Sequence, residues 1–266
     1  MLLENKTVLI TGSSQGIGKA IAYFCHSQGA NVMLHGRDEE CLQSLVNDLG
    51  ERAAYICKDL LTRDVEKILI QATIEAFGGL TGLVNNAGIF PRTTLEEVNL
   101  DNYDKIMSVN CKLPLLLTQE AVKVFKQNSQ AGSIVNIGSI NAYCGQSDLL
   151  IYSMSKGALM TMTRNLADSL SESNIRVNQL NVGWTATETE QAVKQSEGLG
   201  ENWQQTIPKP FAPQGKILKP EQIAPHVAFW LSELSAPCTG AVYEIEQYPI
   251  IGRNLINKFH IGDTPE

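Results

Sequence analysis

The chain lacks any apolar run near the roughly 18 residues that a membrane span requires, and the longest, such as Leu113 to Leu117, fall far short. It also lacks a basic cluster. Its 21 Lys and Arg are scattered against 28 Asp and Glu, for a net charge of -7. Neither nucleic acid nor an anionic membrane surface is therefore expected as a partner. The six cysteines (Cys25, Cys41, Cys57, Cys111, Cys144, Cys238) form no C-x-x-C pair and sit at no metal-like spacing from the four histidines, so no metal is expected. They read as small apolar residues of a reducing compartment. Met1-Leu2-Leu3-Glu4-Asn5-Lys6 puts an acid where a signal peptide carries its basic region, and the expectation is a cytoplasmic protein that starts directly on its first strand.

What is present is alternation. Short β-rich runs (Lys6–Thr11, Asn31–Gly36, Ala53–Lys58, Gly82–Asn86, Ser133–Ser139, Ile175–Asn181 and Ala241–Glu246) are separated by stretches of helical period. The helices are expected near Gly16–Gln28, Glu39–Leu49, Asp64–Phe77, Leu100–Lys126, Tyr152–Ser171 and Pro220–Leu234. This rhythm predicts one α/β domain over residues 1–266: a doubly wound, Rossmann-type fold with a seven-stranded parallel sheet flanked by helices. Residues 185–219 break the rhythm and are read as a lid over a substrate.

Between the first strand and first helix stands Thr11-Gly12-Ser13-Ser14-Gln15-Gly16-Ile17-Gly18. Glycines there let the backbone approach a pyrophosphate, and the exposed N–H groups and helix macrodipole favour the anion. Lys19 after Gly18 gives a superficial likeness to a Walker loop. Gly12 is one residue too far away, however, and Ala20 stands where the metal-binding Ser or Thr belongs, which excludes a nucleotide hydrolase. At the end of the second strand, Leu34-His35-Gly36-Arg37 lacks the carboxylate that would grip an NAD ribose. It offers Arg37 to the 2′-phosphate of NADP, with His35, Ser13 and Ser14 as further donors. NADP is thus the expected cofactor, and Asp38 keeps NAD open as an alternative.

Tyr152-Ser153-Met154-Ser155-Lys156 opens a helix, so Tyr152 and Lys156 share a face. A free phenol has a pKa of about 10, and a neighbouring ammonium favours its phenolate, so Lys156 is expected to bring Tyr152 toward the working range of an acid/base. Asn85-Asn86-Ala87-Gly88 ends the fourth strand, Asn110 lies within a helix, and Ser139 ends the fifth strand. Pro114, four residues after Asn110, has no N–H to give the Asn110 carbonyl. A kink is expected, with that carbonyl free for water.

These motifs, at this spacing, make the chain resemble the short-chain dehydrogenase/reductases from about Lys6 to Gly240. The resemblance implies that Ser139 polarises the substrate oxygen, Tyr152 moves the proton, Lys156 tunes Tyr152 and binds the nicotinamide ribose, and Asn110 supports a water relay. It implies cofactor contacts from Gly12, Ser13, Ser14, Gln15, Gly16, Ile17, Gly18, Arg37, Asp59 (at adenine), Asn86, Ala87, Gly88, Tyr152 and Lys156. Val182, Gly183 and Thr185 or Thr187 would clamp the nicotinamide. A homotetramer or homodimer is implied as well.

Two departures stand out. The family's Asn-Pro-Gly after the sixth strand is here Asn181-Val182-Gly183, and its acidic-Gly-Gly ending is replaced by Glu246-Gln247-Tyr248, which opens an atypical C-terminal segment over residues 247–266. Between Ser139 and Tyr152, Asn141, Tyr143, Gln146 and Asp148 suggest a hydroxylated small-molecule substrate (a sugar, sugar acid or polyol), whereas Cys144 and Leu149 do not. The alternatives are a 3-oxoacyl thioester or steroid-type carbonyl, a non-catalytic NADP-sensing subunit, or non-redox chemistry on a nucleotide sugar.

Overall fold

A computed structural model describes residues 1–128 and 130–251. Seven parallel strands, β1 (Thr7–Ile10), β2 (Asn31–Gly36), β3 (Ala53–Cys57), β4 (Gly82–Asn85), β5 (Gly132–Ser139), β6 (Ile175–Val182) and β7 (Val242–Ile245), form one sheet in the order β3-β2-β1-β4-β5-β6-β7. The helices are α1 (Gly16–Ser27), α2 (Glu39–Leu49), α3 (Val65–Phe77), α4 (Leu100–Met107), α5 (Leu113–Gln127), α6 (Leu150–Leu170), α7 (Glu188–Ser196) and α8 (Pro220–Leu231). Strand order reverses between β1 and β4, and the crevice at that switch point is where an open α/β sheet binds ligands.

Both sheet faces are covered, which is why the strands read as near-continuous apolar runs. Alternate residues separate cleanly. Val8 and Ile10, Val32 and Leu34, and Val135 and Ile137 enter one core against α1 and α8, while Leu9, Met33 and Ile134 enter the other against α3 and α5. Helix α1 answers with Gly18, Ile21, Ala22 and Cys25 on one buried stripe. Among the described residues no helix is long and apolar enough to cross a membrane.

The expected helix over Leu100–Lys126 is not continuous. It divides into α4, a π turn over Ser108–Lys112, and α5 with Pro114 in its first turn. The Leu113 N–H reaches back five residues to the Ser108 carbonyl, and Pro114 donates nothing. A helix relieved of one N–H commonly resolves into such a bulge, and bulges of this kind cluster at functional sites. Residues 185–219 also hold more structure than an irregular lid. They contain α7 and a 3₁₀ turn over Trp203–Thr206, Thr185 pairs with Leu218, and Trp203, Ala212 and Ile217 form a small core of their own. Of the segment 247–266, residues 252–266 lie outside the described residues.

Candidate active site

The glycine loop is built around backbone that only glycine accommodates. Gly12 has φ +65°, and a Cβ on Gly18 would stand 2.2 Å from the Gly12 carbonyl oxygen, so the turn is closed as tightly as sterics permit. Asn86 locks it by donating its side-chain amide to the carbonyls of Thr11 (2.8 Å) and Gly12 (2.9 Å), while the Thr11 hydroxyl accepts from Asn86 N (3.0 Å) and Ala87 N (3.1 Å).

Two expected phosphate donors are otherwise engaged. Ser13 is fully buried, donating to the Ile10 carbonyl (3.0 Å) and accepting the His35 N–H (2.9 Å). The His35 ring accepts the Gly12 N–H at Nδ1 (3.2 Å) and pairs through Nε2 with the Lys58 carbonyl (3.1 Å). Burial pulls His35 down to about 4, so the ring is neutral and structural, not a cation for a phosphate. Asp38 is likewise committed, capping α2 at the Cys41 N–H (3.0 Å). Arg37 remains exposed, 3.8 Å from Asp59, and both line the cleft with Gly36 and Ser14.

A cleft of about 1010 Å³ runs from this loop past the sheet's C-terminal edge to the segment 185–219. The β5–β6 register places Ser139 directly beside Val182 at that edge. Helix α6 then brings Tyr152 and Lys156 over them, with Lys156 on a buried stripe shared with Ile151, Ser155, Leu159 and Thr163. A lysine on a core stripe is the anomaly that marks the site. Lys156 Nζ donates to the Ile137 carbonyl (2.8 Å) and lies 5.7 Å from the Tyr152 ring centroid. Burial brings it down to about 8.

Tyr152 departs from expectation: burial raises its pKa, the facing Ser139 hydroxyl offsets this in part, and the Glu190 carboxylate adds to the rise. Burial therefore favours the protonated phenol, while the Lys156 ammonium is directed to the Ile137 carbonyl. Asn110, 1% exposed, donates to the Ile89 carbonyl (2.8 Å) and to Ser155 Oγ (3.0 Å) and accepts the Ile89 N–H (2.9 Å). Its side chain stitches the π turn to α6. A Cβ on Gly88 would stand 3.4 Å from Lys156 Nζ and 3.5 Å from Asn110 Oδ1, so Gly88 lies directly against both polar groups.

Comparison with known proteins is consistent throughout. Residues 12–247 match a family model described as enoyl-(acyl carrier protein) reductase. The chain is 36% identical over 250 residues to an oxidoreductase of Thermotoga maritima (92% of this chain, 98% of that one). It is 33% identical over 251 residues to the 3-oxoacyl-(acyl-carrier-protein) reductase of the same organism (92% and 98%). Among solved structures, a 3-ketoacyl-(acyl-carrier-protein) reductase from Brucella melitensis complexed with NADH superposes with a TM-score of 0.80 at 28% identity, covering 91% of this chain and 97% of that one.

The chain belongs to the short-chain dehydrogenase/reductase family. It is an oxidoreductase for carbonyl and alcohol groups that uses a nicotinamide dinucleotide. The glycine cradle fits such a group, since Gly12, Gly16, Gly18 and Gly88 line the cleft where α1 begins, and a helix start with close backbone favours a pyrophosphate.

Several residues of this short-chain dehydrogenase/reductase site escaped sequence reasoning. Helix α7 ties itself to the glycine loop: Glu188 Oε2 accepts the Gly16 N–H (3.1 Å) and Gln15 donates to Thr189 (2.8 Å). Arg92 joins Asp148 (3.4 Å) to Glu197 (2.9 Å), and Lys194 also holds Glu197 (2.7 Å). The helix start was legible, because Thr187 with Glu190 three residues on is an N-terminal signature. What the helix lies on was not.

Proposed function

We propose that the protein is an NADP(H)-preferring reductase of 3-oxoacyl thioesters. The observation that carries the chemistry is the meeting of Ser139, Tyr152 and Lys156 at one point of the cleft beside the glycine loop. Two hydroxyls aimed at one place suit an oxygen that gains charge, which supports reduction of a carbonyl rather than of a carbon–carbon double bond. The chemistry that reduced nicotinamide supplies when bound is a hydride to the carbonyl carbon. Ser139 donates a hydrogen bond to the carbonyl oxygen, and Tyr152 delivers its proton there. A buried, protonated phenol is the correct starting form for that direction. Lys156 holds positive charge beneath the phenolate that results, and Asn110 keeps α6 in place through Ser155.

Residues placed to hold the dinucleotide are the loop from Gly12 to Gly18, with Asn86, Ala87 and Gly88 beside it. Val182, Gly183 and Thr185 lie at the nicotinamide end, and Arg37 stands ready for a 2′-phosphate, with Asp59 at the adenine.

The thioester reading replaces the expectation of a sugar or polyol. Tyr143 and Asp148, two of the polar residues behind that expectation, do not line the cleft, and Asp148 is paired with Arg92. Phe90, Leu149, Phe211 and Ile250 do line it, and this apolar wall suits an acyl chain. The two acyl-carrier-protein reductases among its relatives support the same choice.

The test follows reduced-nicotinamide absorbance with acetoacetyl and longer 3-oxoacyl thioesters, polyols and sugar acids, each with NADPH and NADH. Thioester reduction with NADPH is expected. Tyr152→Phe should lose roughly a hundred- to ten-thousandfold in turnover with cofactor affinity unchanged. Polyol turnover without thioester turnover would overturn the substrate, and an active Tyr152→Phe would remove Tyr152 as the acid.

A further inference from the structure

The family's proline is missing at Val182, yet the turn that follows is not left loose. At the end of β7, Glu246 reaches across to the end of β6. Its Oε2 accepts the Trp184 N–H (3.0 Å) while its Oε1 accepts the Gln247 N–H (2.6 Å). One carboxylate thus bridges two chain segments. The fit is close: a Cβ on Gly183 would stand 1.9 Å from Glu246 Oε2, so the carboxylate lies directly against the Gly183 backbone. The Gly183 N–H adds a bond to the Ile245 carbonyl (2.9 Å), and Leu218 N–H donates to the Trp184 carbonyl (3.0 Å). A proline would have stiffened its own φ. Here the restraint falls two residues later, at the Trp184 N–H, and is supplied by charge-assisted hydrogen bonds.

Two parts of the cleft depend on that peptide. Val182, Gly183 and Thr185 form the wall beside Ser139, and the Thr185 hydroxyl donates to the Gly183 carbonyl (3.0 Å). Trp184 carries the roof, where its indole donates to Glu190 Oε1 (2.8 Å) and stacks on Trp203 at 5.3 Å. A shift of about 1 Å in a positioning group costs roughly a hundredfold in rate.

We infer that Glu246 is a positioning residue for hydride transfer, fixing the Gly183–Trp184 turn and with it the shelf for the nicotinamide end of the cofactor. This rests on the reductase reading above. Glu246 touches neither reacting atom. It acts through the two N–H groups it holds.

The experiment compares wild type, Glu246→Ala and Glu246→Gln in four readouts: thermal melting, turnover with NADPH, NADPH affinity with its bound fluorescence, and affinity for adenosine 2′,5′-bisphosphate. The last probe engages the adenine end alone. Loss of the charge-assisted bonds in Glu246→Ala should lower turnover roughly ten- to a hundredfold and weaken NADPH severalfold, with bound fluorescence altered and the bisphosphate unaffected. Glu246→Gln keeps one carbonyl acceptor and should recover most of the loss. Turnover of Glu246→Ala within about twofold of wild type would overturn the inference, as would an equal loss for NADPH and for the adenine fragment. Should wild type reduce no thioester, the substrate reading fails by itself, and the two cofactor-binding readouts still decide the role of Glu246.

Discussion

Replacing Lys156 with Met should make the cofactor-free protein more stable while abolishing activity. Lys156 is 4% exposed, and burial brings its pKa from 10.5 to about 8. At about 1.4 kcal/mol per pKa unit, the buried charge costs about 3 kcal/mol at neutral pH. Met has similar length and no charge, and it forfeits the bond to the Ile137 carbonyl, which contributes about 1 kcal/mol. The net gain of about 2 kcal/mol corresponds to a rise of roughly 4–8 °C in Tm for a chain of this size.

The pH dependence gives the sharper test. The folded pKa lies below the unfolded one, so between pH about 8 and about 10.5 the unfolded chain holds the additional proton, and wild-type stability rises with pH across that window. The Met advantage should therefore be largest below pH about 8. It should vanish or reverse above about 10.5, where the wild-type amine is neutral and keeps its hydrogen bond. Thermal melts followed by circular dichroism across this range, without cofactor, measure both effects. A Met variant no more stable than wild type near neutral pH, or a difference that does not change with pH, would refute the reasoning.

Two predictions concern the dinucleotide. Arg37→Ala should erase a preference of roughly tenfold for NADPH over NADH, measured by fluorescence titration, because it removes the exposed guanidinium assigned to the 2′-phosphate. A ratio untouched by the change would remove Arg37 from that role. Adding Gly36→Asp to reverse the preference calls for Ser14→Gly as well, since a Cβ at Gly36 would stand 2.9 Å from Ser14 Oγ and 3.0 Å from Ser14 Cβ. Glu188→Gln should tighten dinucleotide binding about two- to fivefold, because the native carboxylate accepts the Gly16 N–H at the helix start where a pyrophosphate would bind. Weaker binding in that variant would show that Glu188 supports the cofactor instead of competing with it.

The sequence by itself determined the sheet, the family and the chemistry at its centre. Alternating strand and helix periods dictate a doubly wound sheet because each pattern can bury its apolar residues in only one way. The glycine loop, Ser139 and the Tyr152/Lys156 pair are legible because backbone sterics and helix geometry tie their spacing to position. Tertiary structure decided everything that depends on what faces what. Ser13 and His35 read as phosphate donors, yet the fold turns both inward to brace β1 against β2. Lys156 was expected to lower Tyr152, but burial governs both groups, and burial is a property of the packed chain. Pro114 announced a break in its helix, and only packing against α6 turned that break into a π turn that holds Asn110 on Ser155. Glu246 stands 62 residues from Trp184, and no local pattern links an acid at one strand's end to a peptide at another's. Only the parallel register of β6 and β7 brings them together.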